Sequence, residues 1–206
     1  MKLHFTYNLP DLAQALKIAE QTAECADILG VGSLLLFKEG VKAVSAFRAA
    51  YPNKIIFVEA NLVEKAEQAV TMFAQAGANY ISMLAGSLNS SVKKAVETGN
   101  RFDVKIALDL LDASSVGQSA MDAKALGIDM LLFHRGPVNE DINEVDSAWH
   151  NVRDNSKLPI FITGKIDGSN FVDIVNLKPQ GIMLGAAITK AESPAKAAHQ
   201  FRSLIS

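Results

Sequence analysis

Residues Ile55–Leu84, IIFVEANLVEKAEQAVTMFAQAGANYISML, contain one complete unit of the architecture. The stretch opens on IIFVE and closes on NYISML, two short apolar runs rich in β-branched and aromatic residues, the composition of strands. Between them, Val63, Ala66, Ala69, Val70 and Phe73 recur at helical spacing and predict a helix over Val63–Ala76. Gly77 follows as a helix-stopping glycine. The order is strand, helix, strand.

The same unit repeats in both directions. Apolar runs start at Leu3 (LHFTY), Asp27 (DILGV), Val104 (VKIALDL), Asp129 (DMLLFH), Pro159 (PIFIT) and Gln180 (QGIML), giving eight candidate strands about 25 residues apart. Helical periodicity marks Asp11–Ala26, Glu39–Ala50, Leu88–Thr98, Ser114–Leu126, Val145–Arg153, Phe171–Val175 and Ala195–Ile205. Gly99 and Gly127, like Gly77, precede strands as helix stops. Strands that are apolar at nearly every position are buried on both faces, as parallel strands covered by helices are. Eight near-equal units with no long insert favour a closed (β/α)8 barrel over an open sheet, a single domain spanning residues 1–206.

Composition narrows the functional classes. An apolar fraction of 49%, a charged fraction of 20% and a net charge of −2 describe an ordinary globular chain without the basic surface of a general nucleic-acid binder. The single cysteine, Cys25, reads as a packed thiol in a helical pattern. The apolar stretch in MKLHFTYNLPD is too short for a signal peptide, and no run reaches the roughly 20 residues of a membrane span. The expectation is a cytoplasmic protein.

In such barrels the site is built at the C-terminal ends of the strands. Read in order, those ends carry Asn8, then Gly30, Gly32 and Ser33, then Glu59 and Asn61, then Ala85 and Gly86, then Asp109, then His134 and Arg135, then Thr163, Gly164 and Lys165, and last Gly185 and Ala186. The seventh and eighth ends read ITGKIDGSN and GIMLGAAIT. Glycines there let backbone N–H groups approach a phosphate, and Lys165 adds a point charge; the alternative is that Gly164 and Gly185 only turn tight corners. Adjacent His134 and Arg135 suit acid–base work and anion binding. Asp109 faces either the barrel mouth or a helix cap. Glu59 and Asn61 are spaced to share a strand face, and Glu59 suits either a divalent cation or a hydrogen-bonded rim position. His4, His150 and His199 lie away from the predicted strand ends and are assigned no role.

The strand ends, with LHFTYNLPD, ADILGVGSLLLFKEGVKAV, NKIIFVEANLVEKA, AGANYISM, LLFHRG, ITGKI and GIMLGAAITKAESPAKAA, resemble the 3-hexulose-6-phosphate synthases and 3-keto-L-gulonate-6-phosphate decarboxylases of the orotidine-monophosphate-decarboxylase-like barrels. The resemblance runs over nearly the whole chain. It implies a homodimer, a phosphate pocket, and usually Mg2+ stabilising an enediolate formed from a sugar phosphate. With the strand-end reading it gives candidate catalytic positions at Asn8, Glu59, Asn61, Glu64, Asp109 and His134, of which Asp109 rests on the strand end alone. It gives phosphate contacts at Arg135, Gly164, Gly185 and Ala186, with Lys165 expected to replace the arginine missing after the eighth strand. Glu64 would reach the partner subunit's site.

Several of these positions depart from the family pattern. Asn8 stands for an aspartate and Gly30 for a glutamate metal ligand. The family's Asp-x-Lys-x-x-Asp is here Glu59-Ala60-Asn61-Leu62-Val63-Glu64, and Gly185-Ala186 stands for Gly-Arg. His134, Arg135, Gly136 and Gly164 match; Pro137 and Val138 do not, and Lys165 replaces a second glycine. Losing one preorganised stabiliser commonly costs about 10²–10³ in rate, and several go together here. Three readings follow: a sugar-phosphate lyase of the hexulose-phosphate synthase type, a sugar-phosphate-binding or regulatory protein without the chemistry, and a metal-independent decarboxylase or isomerase of the same suprafamily.

Overall fold

A computed structural model describes residues 1–135 and 142–205. Eight parallel strands close into a barrel in chain order, with the eighth beside the first. They are β1 (Lys2–Tyr7), β2 (Ile28–Val31), β3 (Ile55–Leu62), β4 (Tyr80–Leu84), β5 (Lys105–Asp109), β6 (Met130–His134), β7 (Ile160–Thr163) and β8 (Gly181–Leu184). The helices are α1 (Leu12–Thr22), α2 (Ser33–Glu39), α3 (Val41–Ala50), α4 (Ala66–Gln75), α5 (Asn89–Phe102), α6 (Val116–Ala123), α7 (Ile142–Asn155), α8 (Phe171–Asn176), α9 (Ala186–Thr189) and α10 (Pro194–Ser203). The (β/α)8 barrel read from the repeat is therefore the fold.

Strand alternation divides the apolar residues into two cores. On β1, Leu3, Phe5 and Tyr7 pack outward with helix residues such as Ala15, Ala19 and Phe201. Ile28, Phe57, Ala107, Met130, Leu132, Phe161 and Met183 form a separate cluster inside the barrel. Both faces of each strand are thus buried, which is why the strands read as continuous apolar runs.

The lower rim is tied by a recurring device. The residue leading every second strand accepts a hydrogen bond from a main-chain N–H of the strand before it. Asp27 accepts from Leu3 (2.8 Å) and Asn79 from Ile56 (2.9 Å). Asp129 accepts from Ile106 (2.9 Å) and Gln180 from Ile160 (2.9 Å). Each bond satisfies a buried amide at a strand start, where the sheet ladder does not reach.

Four local expectations change. The helix expected from Val63 starts at Ala66, because β3 runs on to Leu62 and Val63 is exposed. A register shift between Val58 and Leu62, with Asn61 at φ 46, bends the top of β3 and breaks its simple alternation. Glu59 and Asn61 consequently do not act as one face: Glu59 bonds toward β1 and Asn61 toward β4. Gly99 is no helix stop, since α5 continues to Phe102; a Cβ there would lie 2.4 Å from the Val104 carbonyl oxygen, so the close strand approach requires glycine. The expected Glu39–Ala50 helix is α3, preceded by a separate α2, with Gly40 at φ 60 between them.

Candidate functional site at the barrel mouth

A cavity of about 370 Å³ opens at the C-terminal ends of the strands. Thr6 and Asn8 line it from β1 and its loop, and Glu59 from β3. Thr163, Gly164 and Lys165 line it from β7, and Gly185, Ala186, Thr189 and Lys190 from β8 and α9. Both lysines are on the side of β7 and β8, while the carboxylate stands opposite on β3. Gly164 has φ 90, and a Cβ there would meet the Arg135 carbonyl oxygen at 2.7 Å, so the turn into the cavity is open only to glycine. Lys165 follows at φ 39.

Glu59 accepts a hydrogen bond from Thr6 Oγ1 (2.5 Å), and its Oε1 lies 3.8 Å from Nε2 of His4. Burial pushes its carboxyl up to about 7; the Thr6 hydroxyl opposes that shift, the Asp109 charge adds to it and His134 opposes it. His4 is fully buried, and burial holds its imidazole down at about 3. At neutral pH the imidazole is therefore uncharged.

His134 Nε2 lies 2.7 Å from Asp109 Oδ1, which also accepts from the main-chain N–H of Leu111 (2.9 Å). The approach is off the ring N–H axis, so it is an electrostatic contact more than an aligned hydrogen bond. Asp109 is 3% exposed, and its contact with His134 and its charge acting on Glu59 place it on the barrel's inner side, the inward of the two orientations open from its position in the sequence.

The other expected residues have different surroundings. Asn8 lines the cavity and its Oδ1 accepts from Leu34 N–H (2.8 Å), holding the first turn of α2. Asn61 is tied to Ser82: its N–H donates to Ser82 Oγ (3.0 Å) and its Oδ1 accepts from that hydroxyl (2.8 Å). Glu64 is exposed between β3 and α4 and does not line the cavity. Arg135 also lies outside the lining; its N–H donates to the Thr163 carbonyl (2.8 Å) and its charge acts on Asp167. Gly136, Pro137 and Val138 lie outside the described residues. Strand-end reading missed Thr6, His4, Thr189 and Lys190. Period-2 alternation from Asn8 back through Thr6 to His4 is the signal that would have found the first two.

The residues are a poor fit for a magnesium ion held by side chains alone. Mg2+ takes near-octahedral oxygen ligands. Among the described residues, no three His, Cys, Asp or Glu side chains converge to hold an ion. Gly30 brings no donor, and Glu59 is engaged by Thr6.

No family model matches the chain. The 3-hexulose-6-phosphate synthase of Bacillus subtilis (strain 168) is 23% identical over 210 residues, covering 100% of this chain and 99% of that protein. That of Mycobacterium gastri is 25% identical with full coverage of both. A crystal structure of 3-hexulose-6-phosphate synthase superposes with TM-score 0.92 at 25% identity over both whole chains. The 3-keto-L-gulonate-6-phosphate decarboxylase of Vibrio cholerae (TM-score 0.87, 22% identity, 99% of this chain and 96% of that one) shares the fold. So does orotidine 5'-monophosphate decarboxylase of Methanocaldococcus jannaschii (0.84, 17%, 99% and 98%). The fold is thus the one that the orotidine 5'-monophosphate decarboxylase and 3-keto-L-gulonate-6-phosphate decarboxylase structures share. Over its full length the chain is similar to the 3-hexulose-6-phosphate synthases.

Proposed function

We propose that this chain is a sugar-phosphate lyase resembling 3-hexulose-6-phosphate synthase, which adds formaldehyde to, or releases it from, a ketose phosphate through an enediolate. One observation carries the reading: within a full-length likeness to that enzyme, the mouth holds a two-lysine, glycine-lined corner opposite Glu59. Lys165, Lys190 and the main chain at Gly164, Gly185 and Ala186 hold the phosphate group. Asn8 shapes the wall between that corner and α2. His134, oriented by Asp109, takes the proton from the carbon beside the carbonyl. The carbanion attacks formaldehyde, and the new alkoxide takes a proton back. Glu59, raised to about 7 and so partly protonated near neutral pH, donates a hydrogen bond in its protonated form to the oxygen that gains charge. The donor set favours a second reading, phosphate binding without turnover or a metal-independent reaction. No step here uses a metal.

A thermal-shift screen of ketose phosphates with and without Mg2+, followed by assay of formaldehyde release, tests the reading. A ligand that binds the folded state raises its apparent stability, so no shift with any phosphate removes the proposal. A shift without turnover selects the binding reading, and turnover in excess chelator selects the metal-independent one. Lys165→Ala is expected to weaken sugar-phosphate affinity by about tenfold or more, from loss of a charged hydrogen bond of about 1.5–3 kcal/mol. Unchanged affinity by calorimetry would remove Lys165 from the phosphate site.

The protein is proposed to be a cytoplasmic homodimer; among the described residues no helix is long and apolar enough to cross a membrane. Phe37 (82% exposed) and Leu88 (74%) stand on the upper rim after β2 and β4, with Leu34, Val63 and Leu111 also exposed. These elements follow neighbouring strands, and we propose this side of the barrel as the dimer face, with Glu64 in the loop after β3 beside it. Phe37→Glu with Leu88→Glu is expected to shift sedimentation from dimer to monomer; a double variant that sediments like the parent would place the interface elsewhere.

A further inference from the structure

The least explained group in the molecule is His4. It is wholly buried inside the barrel, with its ring centroid 4.9 Å from that of Phe57. Neither ring nitrogen has a hydrogen-bond partner among the described residues. Leaving a buried imidazole so placed is costly, so its position has a reason outside simple packing.

The neighbouring strand shows that reason. A Cβ on Gly30 would lie 2.3 Å from His4 Nε2, 2.9 Å from Glu59 Oε1 and 3.1 Å from Thr6 Oγ1. All three atoms are polar, and they converge on the place where a side chain of residue 30 would begin. His4 and any larger residue at 30 are therefore mutually exclusive without movement of the ring. The imidazole also stands 3.8 Å from Glu59 Oε1, while the Thr6 hydroxyl occupies the same oxygen from the other side. Glu59 stands between two groups of β1 and is hydrogen-bonded to one of them, Thr6, while Gly30 of β2 contributes no ligand.

We propose that His4 fills, by volume, the room that Gly30 leaves beside Glu59 and thereby keeps a divalent ion out of the mouth. Gly30 and His4 form one determinant, since the first makes the space that the second fills. This does not depend on which phosphate the cavity takes, and its test uses no sugar phosphate. Failure of the lyase reading and failure of this inference are therefore separable.

The test uses Mn2+ as the probe on the full-length protein. Histidine ring resonances are followed by NMR as Mn2+ is added, with exposed His150 and His199 as references. The His4 resonance is expected to keep its linewidth until His150 and His199 have broadened. Broadening of His4 first would place the ion beside Glu59 and overturn the proposal. In a second arm, His4→Ala combined with Gly30→Glu is expected to bind Mn2+ at least about tenfold tighter than the parent by electron paramagnetic resonance, because two carboxylates then face each other across β2 and β3. A folded double variant with no gain would overturn the proposal as well. If that variant fails to fold, the experiment on the unmodified protein decides.

Discussion

His134→Ala is expected to lower turnover of a ketose phosphate by about 10²–10⁴-fold, the usual contribution of a positioned acid–base group. His134 ends β6 with its Nε2 2.7 Å from Asp109 Oδ1, and Asp109 is itself held by the Leu111 N–H. No other histidine stands at a described strand end, and His4 lies deeper on β1 with burial holding it neutral. A buried carboxylate beside an imidazole stabilises the imidazolium that forms when the ring takes a proton. Asp109→Asn should therefore also slow turnover, by a smaller factor. Affinity should change less than turnover in either variant, because the phosphate corner at Lys165, Lys190, Gly164 and Gly185 is left intact. Stopped-flow turnover and calorimetric binding on the same preparations separate the two effects. A His134→Ala protein within about threefold of the parent rate would take the acid–base role away from this residue.

The second large effect is on stability and depends on pH. Burial raises Glu59 to about 7 in the folded protein, against 4.5 for the free side chain. A carboxylate raised on folding favours the folded state below its unfolded value, and that benefit is lost as pH rises through the folded value. Glu59→Gln removes this titration. The variant should match the parent in pH dependence below about pH 4.5, then gain on it up to about pH 7 and stay ahead by roughly 2–3 kcal/mol, allowing for the partial exposure of Glu59 at the mouth. The groups facing Glu59 are Thr6 and His4 from β1, Asp109 from β5 and His134 from β6. His4 titrates in the opposite sense: lowered to about 3, it costs stability as pH falls below 6.5. Because His4 is present in both proteins, its effect largely cancels in the difference. Urea unfolding at pH 4, 6 and 8 measures the gap. A gap that does not widen between pH 4 and pH 8 would show that Glu59 ionises as freely in the folded protein as in water.

Much of the fold was legible because the strands of a closed parallel barrel are buried on both faces. Burial of that kind writes itself into composition: IIFV, IAL, MLLF and IFI are apolar at every position, and each falls on a strand. Helix ends at Gly77 and Gly127 were legible for a conformational reason, since φ values of 98 and 85 suit glycine alone. Gly99 was misread because its reason is contact, with the Val104 carbonyl against it, and contact has no local signature.

The site divides along the same line. Strand-end position alone selected Asn8, Glu59, Gly164, Lys165, Gly185 and Ala186, all of which line the cavity. It also selected Asn61, which the bend in β3 turns to Ser82, and it passed over His4, which lies one layer below the rim.

Asp27, Asn79, Asp129 and Gln180 mark the boundary between the two kinds of knowledge. In the sequence they are visible as polar residues leading four of the apolar runs, and local pattern determines that much. Their bonds to Leu3, Ile56, Ile106 and Ile160 exist only once neighbouring strands stand side by side. The barrel itself follows from burial, which is recorded residue by residue along the chain. The pairing of His4 with the space at Gly30 joins residues 26 positions apart, and only the closing of the sheet brings them together.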